Sequence, residues 1–586
     1  MTTSYRALLL IVLTGLTACH SDDSSSEAAD MIITNARVYT LNWGDPALDG
    51  TPANNAPFDG NRWTPDAEAI AIRDGRIIAV GSAAQLQSWK GSDTQILSLN
   101  GATVLPGLVD SHTHIFELGA LLNRVNLTGV ATEQAAIQII ADHAKSIPEG
   151  DWIVGSGWDE GAWADDYPDK IALSEAVPNH PVYMGGLHGF AGWANQRALD
   201  IAEIDATTPI PVGGEVLLGD DGKPTGIFLN RAVTMMTDVL PEPTAQSMRR
   251  NALAGLQQMA EDGYTAIHDA GDDMLMMSAL AALERSEQLP IRVYAMLSLR
   301  DEYLMRTWIA RGPDTDNDSR LVTRSVKAYY DGALGSRGAR LLDDYSDLPG
   351  HRGVSGSGYG FDEALMADAM RSGFQIAIHA IGDAGNREAM DILERVYETA
   401  PETRQNRHRI EHAQVISPDD MPRLDALSLI ASMEPPHAME DKTWAEARLG
   451  PQRIRGAYAW RTIRETGAAL TFNADNPGSD HSIFYGLHSA VTRQDKNREP
   501  AGGWYPEQKM TIEEAIRGYT TWSAYASFRE DNVGVIAANK WADLTVLDID
   551  PFALAGEAPH QLLEGQVLMT IVDGQVVYDA RDRAAD

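Results

Sequence analysis

Six side chains and their spacing carry the chemical signal in this chain of 586 residues. In the stretch VDSHTHI, Asp110, His112 and His114 alternate, so an extended strand would carry all three on one face. His379 shares an alternating face with Gln375 and Ala377, His412 with His408 and Ile410, and Asp475 with Thr471 and Asn473. Imidazole nitrogens and carboxylate oxygens are the donors that hold first-row divalent cations. A single pair of alternating histidines is weak evidence. Four histidines and an aspartate, each at the end of an apolar run and just before a loop, imply one shared site.

Lys327 is the sixth. It lies in SVKAYYDGALGS (residues 325–336), inside a run with strand composition, where an apolar or small residue is expected. A buried ammonium is costly unless it is paired or neutralised. With an ordinary pKa of about 10.4, a neutral amine at pH 7 costs roughly 4–5 kcal/mol. A cation there repels bound metal. Condensation with carbon dioxide turns the amine into an anionic carbamate with two oxygens, able to bridge two metals. The alternative is an ion pair between Lys327 and Asp331, which spacing leaves open.

These residues need elements that converge. Eight candidate strands can be read: TVLPGLVDSHTH, GYTAIHDAG, IRVYAML, SVKAYYDG, FQIAIHAIGD, HRIEHAQ, LSLIASMEP and AALTFNADNP. Helix-like stretches follow most of them, the pattern of an α/β (β/α)8 TIM barrel, whose active sites sit at the C-terminal strand ends. The chain between about residues 121 and 260 is too long for one crossover and reads as an insertion forming a pocket wall or lid. MIITNARVYTLN and AEAIAIRDGRIIAVGS near the start, and WADLTVLDID and VLMTIVDGQVVYD near the end, read as hairpins, with turns at Asp74-Gly75 and Asp573-Gly574.

The ordered set PGLVDSHTH, VKAYYDGALGSRGA, IHAIGDAGN, RIEHAQ and ADNP resembles the amidohydrolase superfamily, in the type 3 branch that includes N-substituted formamide deformylases. The likeness runs over residues 31 to 580, and one departure is local: Asn473 and Ala474 precede Asp475 where that branch usually carries Gly-Ser. The resemblance implies a small β-sandwich built from residues 31–100 and 531–586, around a barrel at 101–530. It implies two metal positions, one held by His112, His114 and Asp475 and one by His379 and His412, with carboxylated Lys327 between them. Zn²⁺ suits these ligands, though Mn²⁺, Fe²⁺ or Co²⁺ also fit, as does a single-metal form. The implied reaction is hydrolysis of an amide other than a peptide bond, such as an N-formyl or N-acyl amine or amino acid, with Asp475 shuttling the proton. Hydrolysis of a cyclic amide, ester or lactone uses the same chemistry, and a degenerate solute-binding protein is the non-enzymatic alternative. A homodimer is implied by resemblance only.

Lesser candidates surround this set. His188 in GGLHGFAGWAN is placed to reach substrate or stabilise an oxyanion, with a surface position as the alternative. Asp110 is expected to orient a ligand, Trp158 and Asp159 to line the pocket, His268 to face the site and Tyr329 to share the inward face with Lys327. Glu411 is expected to point away from His412.

The charge balance, 47 basic against 83 acidic residues for a net −36, opposes binding to nucleic acid phosphates. The first 19 residues read as a lipoprotein signal: Arg6, the apolar run Ala7–Leu16, then Leu16-Thr17-Ala18-Cys19, which resembles a bacterial lipobox. Residues 20–30 read as a polar tether. The expectation is an exported protein, lipid-anchored at Cys19 in the outer membrane and facing the periplasm, acting on a small molecule.

Overall fold

The computed structural model describes residues 28–158, 167–186, 191–211, 214–316, 318–335 and 337–583. Eight parallel strands form one sheet: β1 Leu108–Thr113, β2 Tyr264–Asp272, β3 Arg292–Ser298, β4 Leu321–Tyr329, β5 Gln375–Ala380, β6 Arg409–His412, β7 Ile430–Met433 and β8 Ala469–Phe472. Strand order follows the chain, and every neighbouring pair is parallel. The sheet curls until its edges meet. The Ser111 hydroxyl donates to the Phe472 carbonyl at 3.0 Å, and the His114 amide donates to the Asn476 carbonyl at 2.7 Å.

All eight sequence-expected strands are present. β4 starts four residues earlier than SVKAYYDG, because Leu321-Val322-Thr323 extends it past a bulge facing Ala295 and Met296. Alternation sorts the strand residues into two layers. Ile376 and Ile378 of β5 pack outward among Leu365, Met370 and Leu393 of the flanking helices. Ala377 faces inward with Ala270, Tyr294, Met296 and Val322, filling the barrel interior. It is a packed interior, not a pore.

Both chain ends meet in a β-sandwich. A four-stranded sheet (Met31–Thr34, Ala69–Arg73, Arg76–Gly81, Gln95–Ser98) faces a five-stranded sheet that joins Arg37–Val38 and Thr103–Pro106 to Leu544–Leu547, Val567–Val572 and Gln575–Asp579. Ile33, Val38, Ile70, Val104, Leu544 and Ile571 form its shared core. Its hairpin turns have left-handed pairs at Asp74-Gly75 and Asp573-Gly574. Arg292, at the foot of β3, ties the sandwich to the barrel through Asp543 at 2.6 Å and through Asp573.

Between helix α1 (Ile115–Leu122) and helix α2 (Ala245–Glu261) lies a six-stranded mixed sheet spanning Val125 to Asn230. The two helices touch backbone to backbone. A Cβ on Gly119 would lie 1.8 Å from the Asn251 carbonyl oxygen, so only glycine permits this approach. Trp158 is buried in the core of the inserted sheet beside Trp193, and its indole donates to the Met184 carbonyl at 2.9 Å. It is core rather than pocket lining, since the sheet needs an apolar filling of its own. Among the described residues no helix is long and apolar enough to cross a membrane.

Candidate metal centre

The C-terminal ends of β1, β4, β5 and β6 and the loops after β7 and β8 bring the expected donors together. Lys327 stands at the centre. It is 1 % exposed, and its amine lies 2.8 Å from His112 Nε2. Burial pulls its pKa down to about 8. The alternative ion pair with Asp331 is not formed. Asp331 instead accepts the backbone amides of Ile381, Gly382 and Arg340 at 2.8–2.9 Å, which pins the loops after β4 and β5.

His112 is oriented from below. Its Nδ1 meets Glu411 Oε2 at 2.5 Å, which assigns the proton to Nδ1 and turns the Nε2 lone pair toward Lys327 and Asp475. Arg409 grips the same carboxylate with Nε at 2.7 Å and Nη2 at 2.9 Å, and reaches His268 Nδ1 at 3.0 Å. Although burial opposes the charge, Arg409 and His112 hold the Glu411 carboxyl well below its ordinary range. Burial, with the Lys327 charge, lowers His112 to about 4, so it is a neutral donor. His268 therefore does not face the site. It lies one layer beneath, neutral, as an acceptor for Arg409.

Glu411 corrects the alternation expected for β6. Arg409 and Glu411 point into the barrel, whereas His408 and Ile410 point out, with His408 accepting the Ile376 amide at 2.9 Å. His412 joins the site because its own φ is +72° and that of Ala413 is +43°, a left-handed break that ends the strand's alternation. The break is invisible to a period-two reading.

Asp475, with φ of +49° beyond the end of β8, sets one carboxylate oxygen 3.2 Å from His114 Nε2 and 3.5 Å from His112 Nε2. Burial opposes its charge, but the adjacent imidazoles hold its pKa well below the ordinary carboxylate value. Asp110 accepts the amides of His112 at 3.1 Å and Ala474 at 3.2 Å, so it fixes backbone on both sides of the donors rather than a ligand side chain.

His379 and His412 pack edge to face with ring centroids 4.4 Å apart, and His412 lies 5.2 Å from His112. Tyr329 covers this pair, its ring 5.6 Å from that of His379. His188 and Asp159 lie outside the described residues.

One residue of the site was missed. His437, in the first turn of helix α3 (Pro435–Asp441), directs Nε2 to 4.0 Å from the second oxygen of Asp475. Glu434 sits between His412 at 3.3 Å and His437 at 3.6 Å. Burial disfavours the His437 charge, but Glu434 overrides it and raises the pKa to about 9. The signal was present: Glu-Pro-Pro-His follows the seventh strand, where the other donors follow theirs.

Two donor groups result, His112 with His114 and Asp475, and His412 with His437 and Asp475. Asp475 belongs to both. The buried atoms His379 Nε2, His412 Nδ1, Asp475 Oδ1 and Glu434 Oε1 have no hydrogen-bond partner. Such atoms are costly in a folded core. Imidazole nitrogens and carboxylate oxygens without hydrogen-bond partners, gathered in this arrangement, fit a divalent cation.

Relatives align with most of the chain. The protein is 27% identical to the N-substituted formamide deformylase of Arthrobacter pascens over 574 residues, covering 94% of this chain and 99% of the relative. It is 28% identical to Protein LONG AFTER FAR-RED 3 of Arabidopsis thaliana over 572 residues, covering 94% and 92%. An uncharacterized metal-dependent hydrolase from Pyrococcus furiosus, 24% identical, superposes with a TM-score of 0.68 over 89% of this chain and 99% of that one, a likeness of fold. The family model described as Amidohydrolase family matches residues 95–578, and the chain belongs to that family.

Proposed function

We propose that the protein hydrolyses a C–N bond of a non-peptide amide, an N-formyl or N-acyl amine or amino acid, with a divalent metal at the centre described above. The observation that carries this is the set of unpaired buried donors converging on Lys327 and Asp475. The name of the Arthrobacter relative supports the amide class.

His112, His114 and Asp475 would hold one ion, and His379 and His412 a second, with His437 as a further donor on the Asp475 side. Bound there, a divalent cation acidifies water and polarises a carbonyl. Glu411 keeps His112 in the tautomer that offers Nε2. Lys327, with its pKa brought down to about 8, has an accessible neutral amine; addition of carbon dioxide to it, with release of a proton, would give a carbamate whose oxygens could serve as anionic metal ligands. Asp475 accepts a proton from the attacking water and returns it to the departing nitrogen. Its low pKa keeps it ionised at neutral pH. Tyr329 covers the His379 side of the centre. Zn²⁺ is our choice of ion, since imidazole-rich sites suit it. We place the enzyme at the outer membrane, anchored through lipidated Cys19.

The test is metal analysis of purified protein beside a screen of N-formyl and N-acyl amines, lactones and esters. Release of amine from the amides supports the reading. Stoichiometric metal with no turnover across the panel overturns it.

A further inference from the structure

Arg300 stands immediately after β3, at the barrel mouth, with no assigned role. It is exposed, yet its guanidinium is anchored by hydrogen bonds. Its guanidinium carbon lies over the Tyr329 ring, 4.1 Å from the centroid. Nε and Nη2 both donate to the Tyr359 carbonyl, at 2.9 and 2.7 Å. Tyr359 is in turn fixed by a close fit. Its hydroxyl would sit 2.1 Å from a Cβ on Gly332 and 2.7 Å from one on Gly338, so both positions must be glycine for the ring to occupy that slot. The glycines of the β4 loop thus set the tyrosine, the tyrosine's carbonyl sets the guanidinium, and the guanidinium stacks on a residue of the site.

What Arg300 lacks is a counter-charge. The other arginines of this loop region are paired: Arg337 with Asp347 at 2.8 Å, Arg340 with Glu388 at 3.5 Å, and Arg448 with Asp347. In a chain with 83 acidic residues, carboxylates are abundant. Among the described residues none reaches Arg300 within ion-pairing distance, and Nη1 has no partner. Orienting a cation this firmly costs side-chain entropy, and leaving it unpaired forgoes a charge-assisted bond.

The position is informative as well. The Lys327 amine lies 5.0 Å from the same Tyr329 centroid. Arg300 is therefore separated from the centre by little more than one aromatic ring. The two distances place the guanidinium carbon within about 9 Å of the Lys327 amine, a span that an acyl amide at the centre with a carboxylate near its nitrogen can cover.

We propose that Arg300 is an anion subsite and that the substrate is an acyl amide bearing a carboxylate close to the scissile bond. This rests on the hydrolase reading above and narrows it to a charged substrate class.

A matched pair tests it: N-formylbenzylamine and N-formylphenylglycine, which differ by the carboxylate alone. For the wild type, kcat/KM is expected to favour the acid, and added salt to narrow the preference. In Arg300→Gln the acid-to-neutral ratio of kcat/KM should fall about 10- to 100-fold, mostly through KM, as expected for one charge-assisted hydrogen bond. Arg300→Lys should retain part of the ratio. A wild type that prefers the neutral amide, or an Arg300→Gln protein whose ratio is unchanged, overturns the inference. If neither compound is cleaved, the hydrolase reading fails instead. Calorimetry of N-formylphenylglycine binding to wild type and Arg300→Gln then decides the subsite: weaker binding by the variant upholds it, and equal binding ends it.

Discussion

Lys327→Met probes the buried amine before substrate or metal is added. Burial holds the amine near 8 against its ordinary 10.5. For a lysine, a lowered folded-state pKa means that the ammonium weighs against the fold. Below about pH 8 the folded and unfolded chains are both protonated, and the whole penalty is present, about 3 kcal/mol. Between pH 8 and 10.5 the folded chain has released its proton while the unfolded chain keeps it, so stability rises with pH and the penalty fades. Methionine keeps an unbranched stem of similar volume without the charge. It forfeits the contact with His112 at 2.8 Å, worth about 1 kcal/mol. The balance predicts that chelator-treated Lys327→Met is more stable than wild type by about 2 kcal/mol at pH 7, with the advantage gone by pH 10. Urea unfolding at pH 7, 8.5 and 10 measures it. The same variant should bind less metal and lose turnover. A metal-free variant that is less stable at pH 7, or an advantage that grows with pH, refutes the reasoning and makes Lys327 a satisfied structural cation.

Glu411→Gln removes the carboxylate that fixes His112 and pairs with Arg409. We expect a loss of about 3–5 kcal/mol in unfolding experiments and metal affinity about 10–100-fold weaker in chelator competition. His437→Ala should lower bound metal or weaken its retention while leaving the fold intact by circular dichroism; wild-type retention would remove His437 from the donor set. Gly119→Ala drives a Cβ into the Asn251 carbonyl and should cut the thermal midpoint by several degrees or abolish soluble expression. Gly332→Ala displaces Tyr359, and should weaken discrimination for the carboxylate-bearing substrate in the paired assay.

The barrel was legible because each of its strands is an apolar run ended by polar residues, and the hairpins at both chain ends because Asp-Gly turns mark them, while their union in one sandwich came from the family resemblance. His112, His114, Lys327, His379 and Asp475 were legible as donors at strand ends. Glu411 was misread because alternation was carried through His412, where a positive φ breaks it. His437 was missed because it lies on a helix turn beyond β7, where strand periodicity has no say. The inserted sheet was seen only as excess length. Its strands are short and it supplies its own core around Trp158 and Trp193, so nothing in the barrel pattern indexes it. The pairing of Arg300 with Tyr329 joins β3 to β4 across the barrel mouth, a relation that no single stretch of sequence contains.

The central claim is that the donors around Lys327 and Asp475 hold divalent metal that the amide chemistry requires. The direct measurement is a titration of chelator-stripped protein with Zn²⁺, following bound ion and amine release from an N-formyl amine in the same samples. Turnover should be absent without metal and rise in step with occupancy, and Asp475→Asn should remain inactive at any zinc concentration. Turnover that survives complete chelation, or full occupancy without turnover on the amide panel, would contradict the account.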